Sequence, residues 1–213
     1  MPLPTTTCPS CIPVDATEST ADPRWSVTSS TGWIDPARPL RGWRISQVSY
    51  DPKIGLAIND VDLTPDSATF GYFNTPTCRP RTSTGLVPYF PSVRPLSGLH
   101  AAVPDPACTC GYNVVPDLGD LLGLRLLSIP GDNPSFWAIL RVDVVGRIAR
   151  GAHRADPPGT IRCHDMALTG TVVVEDSVPF GAIELMARHG MYPVTVASLG
   201  GSHTAHVCPV SVG

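Results

Sequence analysis

Between residues 100 and 110 the chain carries His100, Cys108 and Cys110, and Cys78 stands a short way upstream. Thiolates and an imidazole are the donors zinc takes in tetrahedral sites, and three cysteines with one histidine form such a set. Four protein ligands leave no open coordination position, so the expected zinc is structural, a staple whose binding free energy adds to folding. The Pro-rich sequence around it has little regular patterning of its own and is the kind that needs a staple. Cys108 and Cys110 are separated by one residue, where zinc pairs usually have two to four between them. That tighter knuckle requires permissive backbone beside it, which Gly111 supplies. Two alternatives stay open: thiols acting as small buried hydrophobes with His100 hydrogen-bonded in a loop, or a disulfide.

A second constellation joins His153 to Arg162, Cys163, His164 and Asp165, on two segments brought back together by Pro157 and Pro158. A cysteine, a histidine and an acid are the material of a nucleophile and its base, which would make a small metal- or cysteine-dependent hydrolase. Neighbouring strand residues point to opposite faces, however, so Cys163 and His164 do not readily share a proton. The competing expectation puts Cys163 in the core, with Arg162 and His164 towards solvent. His153 is also a substitute ligand for the zinc set.

A third group pairs Cys8 and Cys11, a Cys-x-x-Cys, with His203, His206 or Cys208, because the ends of a domain often lie near one another. A redox role for Cys8 and Cys11 would want a strand before them and a helix after, and Pro13 follows closely instead. The plain expectation for them is two free thiols. Zinc-deaminase chemistry would need a Glu beside the histidine ligand, and none flanks His100. No dinucleotide fingerprint, phosphate loop, Gly-x-Ser-x-Gly or His-Glu-x-x-His occurs. The residues therefore favour a protein that is not an enzyme.

The elements that must position these groups are short. In 213 residues there are 24 prolines and 19 glycines, which break up long helices, while 42% hydrophobic and 15% charged residues are globular proportions. A net charge of −3 gives no general electrostatic footprint for nucleic acid or anionic lipid. The positive residues are arginines except for Lys53, a bias of GC-rich coding that suggests an actinobacterium or its phage. With seven cysteines, an odd number, and no secretory start or membrane-spanning run, a cytoplasmic protein with thiols or metal ligands is expected.

Along the chain, residues 1–40 are Thr-, Ser- and Pro-rich and read as a flexible arm. Residues 42–49 and 54–58 read as a hairpin turning at 50–53. Residues 116–127 read as a helix with Leu118, Leu121 and Leu122 on one stripe. Residues 135–150 alternate as a long strand with Phe136, Ala138, Leu140, Val142, Val144 and Ile148 inward, bent by a bulge at Gly146. Strands follow at 160–168, 171–174 and 192–197. A helix over 178–189 is capped by Asp176 or Ser177 and ended by Gly190. The expected fold is α+β: a mainly antiparallel sheet or small partly open barrel with two short helices, a single domain over 41–198 and a tail over 199–213.

The succession Cys78, His100 with Pro104, Cys108-Thr-Cys110-Gly111, the strand around Gly146, that around Arg162, and the helix end at residues 187–194 resembles an uncharacterised family from actinobacteria and their phages. That family's pattern runs Cys, His-x-Ala-Pro, Cys-x-Cys-Gly. Here Ala101-Ala102-Val103-Pro104 replaces the shorter His-x-Ala-Pro step, and Cys163 stands where a small residue is usual. The resemblance covers about residues 40–197 and implies a domain boundary and the ligand set Cys78, His100, Cys108 and Cys110, but no activity. The reading drawn from the whole is a zinc-stapled binding module with a protein or nucleic-acid partner, recognising it through long Pro-rich loops. The hydrolase is one alternative, and a virion component with an arm packed on its neighbours is another.

Overall fold

The computed structural model describes residues 12–15, 22–26, 30–58, 61–62, 72–73, 103–106, 110–123, 135–150, 159–196 and 204–207; of 12–15, 61–62, 72–73 and 204–207 only the backbone is described. In chain order the elements are β1 (Ile12–Asp15), a 3-10 turn (Pro23–Ser26), β2 (Thr31–Ile34), β3 (Leu40–Asp51), β4 (Gly55–Ile58), β5 (Val61–Asp62), β6 (Tyr72–Phe73) and β7 (Tyr112–Val114). There follow α1 (Leu118–Gly123), β8 (Ser135–Arg150), β9 (Ile161–Val174), α2 (Phe180–Arg188), β10 (Tyr192–Thr195) and β11 (Thr204–Val207).

The 16-residue β8 is the middle of the sheet. One edge takes β3 antiparallel, from Leu40 opposite Val144 to Ser49 opposite Ser135, and then β2, with Ile34 opposite Gly146. The other edge takes β9 antiparallel. Beyond β9 lie β7 at Ile161–Cys163, β6 at Ala167 and β10, which runs parallel to Thr171–Val174 after the α2 crossover. β4 extends β3, and β5 pairs with β6. The fold is thus α+β, mainly antiparallel and open, as expected, with one parallel pair added by the β9–α2–β10 crossover. The sheet curls: Trp43 N–H donates to the Val115 carbonyl at 2.8 Å and Val115 N–H returns to Trp43 at 2.9 Å, tying the outer edge of β3 to the chain leaving β7. Among the described residues no helix is long and apolar enough to cross a membrane.

Alternation decides what each face of β8 meets. Ala138, Leu140, Val142, Val144 and Ile148 enter one cluster with Val48, Val172, Val174 and, from α2, Ala182 and Met186. The opposite face is not simply polar: Ile139 packs with Trp43, Val173, Val194 and Leu118 and Leu121 of α1, and Trp137 lies against them. Each fully buried aliphatic side chain contributes about 1.5–3 kcal/mol, so a strand covered on both faces outweighs the weak propensity of a six-residue helix. Two register slips bend β8 against β9. Between Val145 and Ile148 two residues face the one between Asp165 and Cys163, and Gly146, at φ +72, adopts the left-handed conformation that this bulge requires. The other slip lies between Leu140 and Val142.

Several sequence expectations shift. The helix expected over 178–189 begins at Phe180 with Pro179 at its N-cap and no side-chain cap from Asp176 or Ser177, because the fixed proline dihedral already sets the entry. The strands expected at 160–168 and 171–174 form one element. The stretch expected as a flexible arm to residue 40 instead includes β2 and a buried Trp25. Trp25 indole N–H donates to the Arg41 carbonyl at 3.2 Å, and Arg150 donates to the carbonyls of Trp25, at 2.8 Å, and of Arg24. Arg24 in turn grips Asp22, whose carboxyl it holds below the usual carboxylate range, and the Pro39 carbonyl at 2.9 Å. Trp25, Arg24 and Arg150 thus tie this segment to the sheet.

Trp25 is 7% exposed and Trp33 71%, so the two tryptophans separate packing from surface. Trp25→Ala is expected to cost about 3–5 kcal/mol in urea unfolding, and Trp33→Ala no more than about 0.5 kcal/mol. Equal effects would show that residues 22–26 do not belong to the core.

Candidate functional site

The ordered chemistry gathers around the start of β9. There Arg162, only 4% exposed, reaches out of the strand to the segment that precedes β7. Its Nη1 donates to the Asp105 carbonyl at 2.9 Å and to the Cys110 carbonyl at 3.4 Å, and its Nη2 to the Pro106 carbonyl at 3.4 Å. From β8, Arg147 Nε donates to the Pro104 carbonyl at 3.1 Å. Prolines 104 and 106 bring carbonyls without N–H groups, and two guanidinium forks supply the missing donors. The Arg162 fork therefore grips the chain on both sides of Cys108. Gly111, at φ +100, turns the chain into β7, and a β-carbon there would lie 2.9 Å from Pro104 Cβ and 3.0 Å from the Cys163 carbonyl. Gly111 thus has the permissive backbone angles expected of it, while the Cys108 side of the expected knuckle lies outside the described residues.

Of the expected zinc ligands, Cys110 is described, and it is half-buried. Cys78, His100 and Cys108 lie outside the described residues, as does His153. Among the described residues no three His, Cys, Asp or Glu side chains come together as a metal site. At Cys110 itself, Arg162 places a permanent positive charge on the main-chain carbonyl.

Cys163 takes the core position. It is fully buried, its thiol donates to the Tyr112 carbonyl at 3.6 Å, and burial pushes its pKa up from 9.0 to about 12. At neutral pH it is a thiol, which leaves it without the nucleophilic form that cysteine catalysis uses. Arg162, expected towards solvent, is buried instead, because Asp105, Pro106 and Cys110 lie against it. His164 is partly exposed, as expected, and its Nδ1 meets Asp165 Oδ2 at 2.8 Å. Sequence neighbours on a regular strand would not meet in this way. They do so opposite the β8 bulge, where a β-carbon on Gly146 would lie 3.1 Å from Asp165 Oδ2 and 4.0 Å from the Trp33 ring. The ring of Trp33 thus lies over the bulge on the side of the His164–Asp165 pair. Arg44 stacks on Tyr112, 4.7 Å from the ring centroid, and faces the same β7–β9 junction.

The roles of Arg162 and Trp33 were not readable from sequence. An arginine within an alternating strand signals an exposed position, and nothing local says what will cover it. The pairing of Trp33 with the bulge depends on β2 joining β8, which four residues of weak pattern do not announce.

Arg162→Met keeps the stem and removes the donors, leaving the carbonyls of Asp105, Pro106 and Cys110 without them. The expected loss is about 2–4 kcal/mol in chemical denaturation, with Arg162→Lys recovering only part of it, since an ammonium lacks the planar fork. Cys163 contributes a pH dependence. Its folded pKa is raised, so its contribution is complete below the unfolded value of 9.0 and is lost as pH rises towards about 12. The slope is at most about 1.4 kcal/mol per pH unit. Unfolding free energies of the wild type and Cys163→Ala measured from pH 8 to 11 should converge as pH rises; a constant difference would place the thiol in a wet site.

Comparison of the chain with protein-family models, with curated proteins and with solved structures gives no match.

Proposed function

We propose that the chain is a non-enzymatic binding module of a bacterium or its phage, stapled by zinc at Cys78, His100, Cys108 and Cys110, that recognises a protein or nucleic-acid partner. The observation that carries the binding reading is Trp33. It is a large aromatic side chain, 71% exposed, held on a strand of the main sheet whose neighbour Ile34 is buried, and it lies over the bulge on the side of the His164–Asp165 pair. Aromatic side chains on rigid backbone bury large areas at low entropic cost and are frequent anchors of interfaces. The staple reading is supported by the Arg162 fork, which grips the chain on both sides of Cys108 and so limits the entropy a metal must remove. Burial of Cys163 counts against a cysteine hydrolase at this junction.

Two measurements test the reading. Elemental analysis of the reduced protein should show one zinc equivalent fewer in Cys108→Ala/Cys110→Ala than in the wild type, with a lower unfolding midpoint. Titration of tryptophan fluorescence with single-stranded and duplex oligonucleotides, and cross-linking from residue 33, should report contacts that Trp33→Ala removes without loss of fold. Hydrolysis of generic ester, amide or phosphoester substrates that disappears in His164→Ala would overturn the non-enzymatic reading.

A further inference from the structure

One side of the β2 backbone is unused by the sheet. Arg150 N–H donates to the Ser30 carbonyl at 2.8 Å, and from that pair the β2–β8 register runs through Gly32 opposite Ile148 to Ile34 opposite Gly146. In an antiparallel ladder only alternate pairs exchange hydrogen bonds, so Ser30, Gly32 and Ile34 turn their N–H and C=O groups to β8. Thr31 and Trp33 turn theirs the other way, and among the described residues no strand pairs with that edge. Thr31 is exposed, and the Trp33 ring leans over Gly146, towards its own sheet and not across the edge. Open edges accept an extended strand, which natural sheets discourage with charge or proline. Here both are missing: in a chain with 24 prolines, the run from Trp25 to Ile34 has no proline and no charged side chain. By contrast β10 and β5, each also paired on one side only, carry Pro193 and Asp62. The next charge after β2, Asp35, is turned into its own loop, where Oδ1 accepts the Ala37 N–H at 2.9 Å.

We propose that this edge pairs with the same edge of a second copy of the chain, antiparallel about Gly32, in a twofold-symmetric dimer. The dimer rests on the reading of Trp33 as an interface anchor and names its partner. In that register Thr31 of each copy stands opposite Trp33 of the other, and the outward groups of each such pair exchange two hydrogen bonds. Gly32 meets Gly32 at the axis, where opposed Cα atoms approach to about 4.5 Å and no side chain crowds them. An aromatic opposite a β-branched residue is a favourable cross-strand pair, so Thr31 covers a flank of Trp33 that solvent otherwise holds. Charge permits the self-pairing. Neither strand carries any, and Arg147, the register partner of Trp33, lies three strand spacings, about 14 Å, from its symmetry mate, beyond a Debye length of about 8 Å. A second copy brings the same uncharged edge in the required alternation, and the isologous contact closes on itself.

Sedimentation equilibrium of the full chain, from micromolar to millimolar concentration, should show a monomer–dimer equilibrium of the weak kind that goes with an interface below about 1,200 Å². Thr31→Lys and Thr31→Glu each place like charges at diagonal positions across the axis, and each alone should stay monomeric with an unchanged circular dichroism spectrum. Mixed in equal amounts they should form the heterodimer, because the diagonal charges then have opposite sign. Thr31→Pro, which removes an outward N–H and none that faces β8, should weaken the dimer about tenfold or more through the two hydrogen bonds lost across the axis. A wild type that stays monomeric at millimolar concentration, or dimers that persist in Thr31→Lys and Thr31→Glu alone, would overturn the proposal. Either result is distinct from failure of the anchor reading, which falls only if cross-links from residue 33 to every partner, a second copy included, are absent.

Discussion

β8 is paired along both edges and covered on both faces, and most other described elements are placed by that fact. A strand with β3 and β2 on one side and β9 on the other has its backbone groups satisfied by neighbours, so its position is not negotiable and the rest must fit around it. Coverage by α2 on one face and α1 on the other turns nearly every apolar residue of β8 into core. The strand is too long to stay flat against a twisting neighbour, and the two register slips absorb the mismatch. The slip at Gly146 has a chemical consequence as well. Opposite it the alternation of β9 is disturbed, Asp165 meets His164, and the exposed Trp33 comes alongside.

A second constraint is the donor supply. Proline contributes a carbonyl and no N–H, so a chain with 24 of them has more backbone acceptors than backbone donors in its irregular segments. Arginine side chains from the sheet and from the 3-10 turn offset this. Arg24 donates to Arg38 and Pro39, Arg150 to Arg24 and Trp25, Arg147 to Pro104, and Arg162 to Asp105, Pro106 and Cys110, always to main-chain carbonyls of segments outside helix or strand, or of the 3-10 turn. A lysine in these places would offer a compact charge where a planar fork can serve two carbonyls at once. The near absence of lysine, which reads as a coding bias, thereby has a structural use. Hydrogen bonds from charged donors stabilise by about 1.5–3 kcal/mol each, enough for two or three of them to seat a segment that has no regular structure of its own.

The cysteines divide along the same lines. Cys163 sits in the core as a small apolar side chain with its thiol on the Tyr112 carbonyl. Cys110 sits half-buried at the edge of an arginine-held segment, with its main-chain carbonyl on Arg162. One residue type thus occupies the core in one place and the border of an irregular segment in another.

By itself the sequence determined the long strand, the β3–β4 hairpin, both helices to within a few residues, the bulge at Gly146 and the inward set from Ala138 to Ile148. These are local properties: a period of two or of 3.6, a glycine able to take positive φ, a proline at a helix start. Tertiary structure alone decided that Trp25 and β2 join the core, that Ile139 and Trp137 are covered by α1, that Arg162 is buried, that His164 and Asp165 meet, and that β1 finds β11. Each of these depends on which segment comes to lie over a given residue. That is settled by partners distant in the chain, for which neither alternation nor spacing carries a signal.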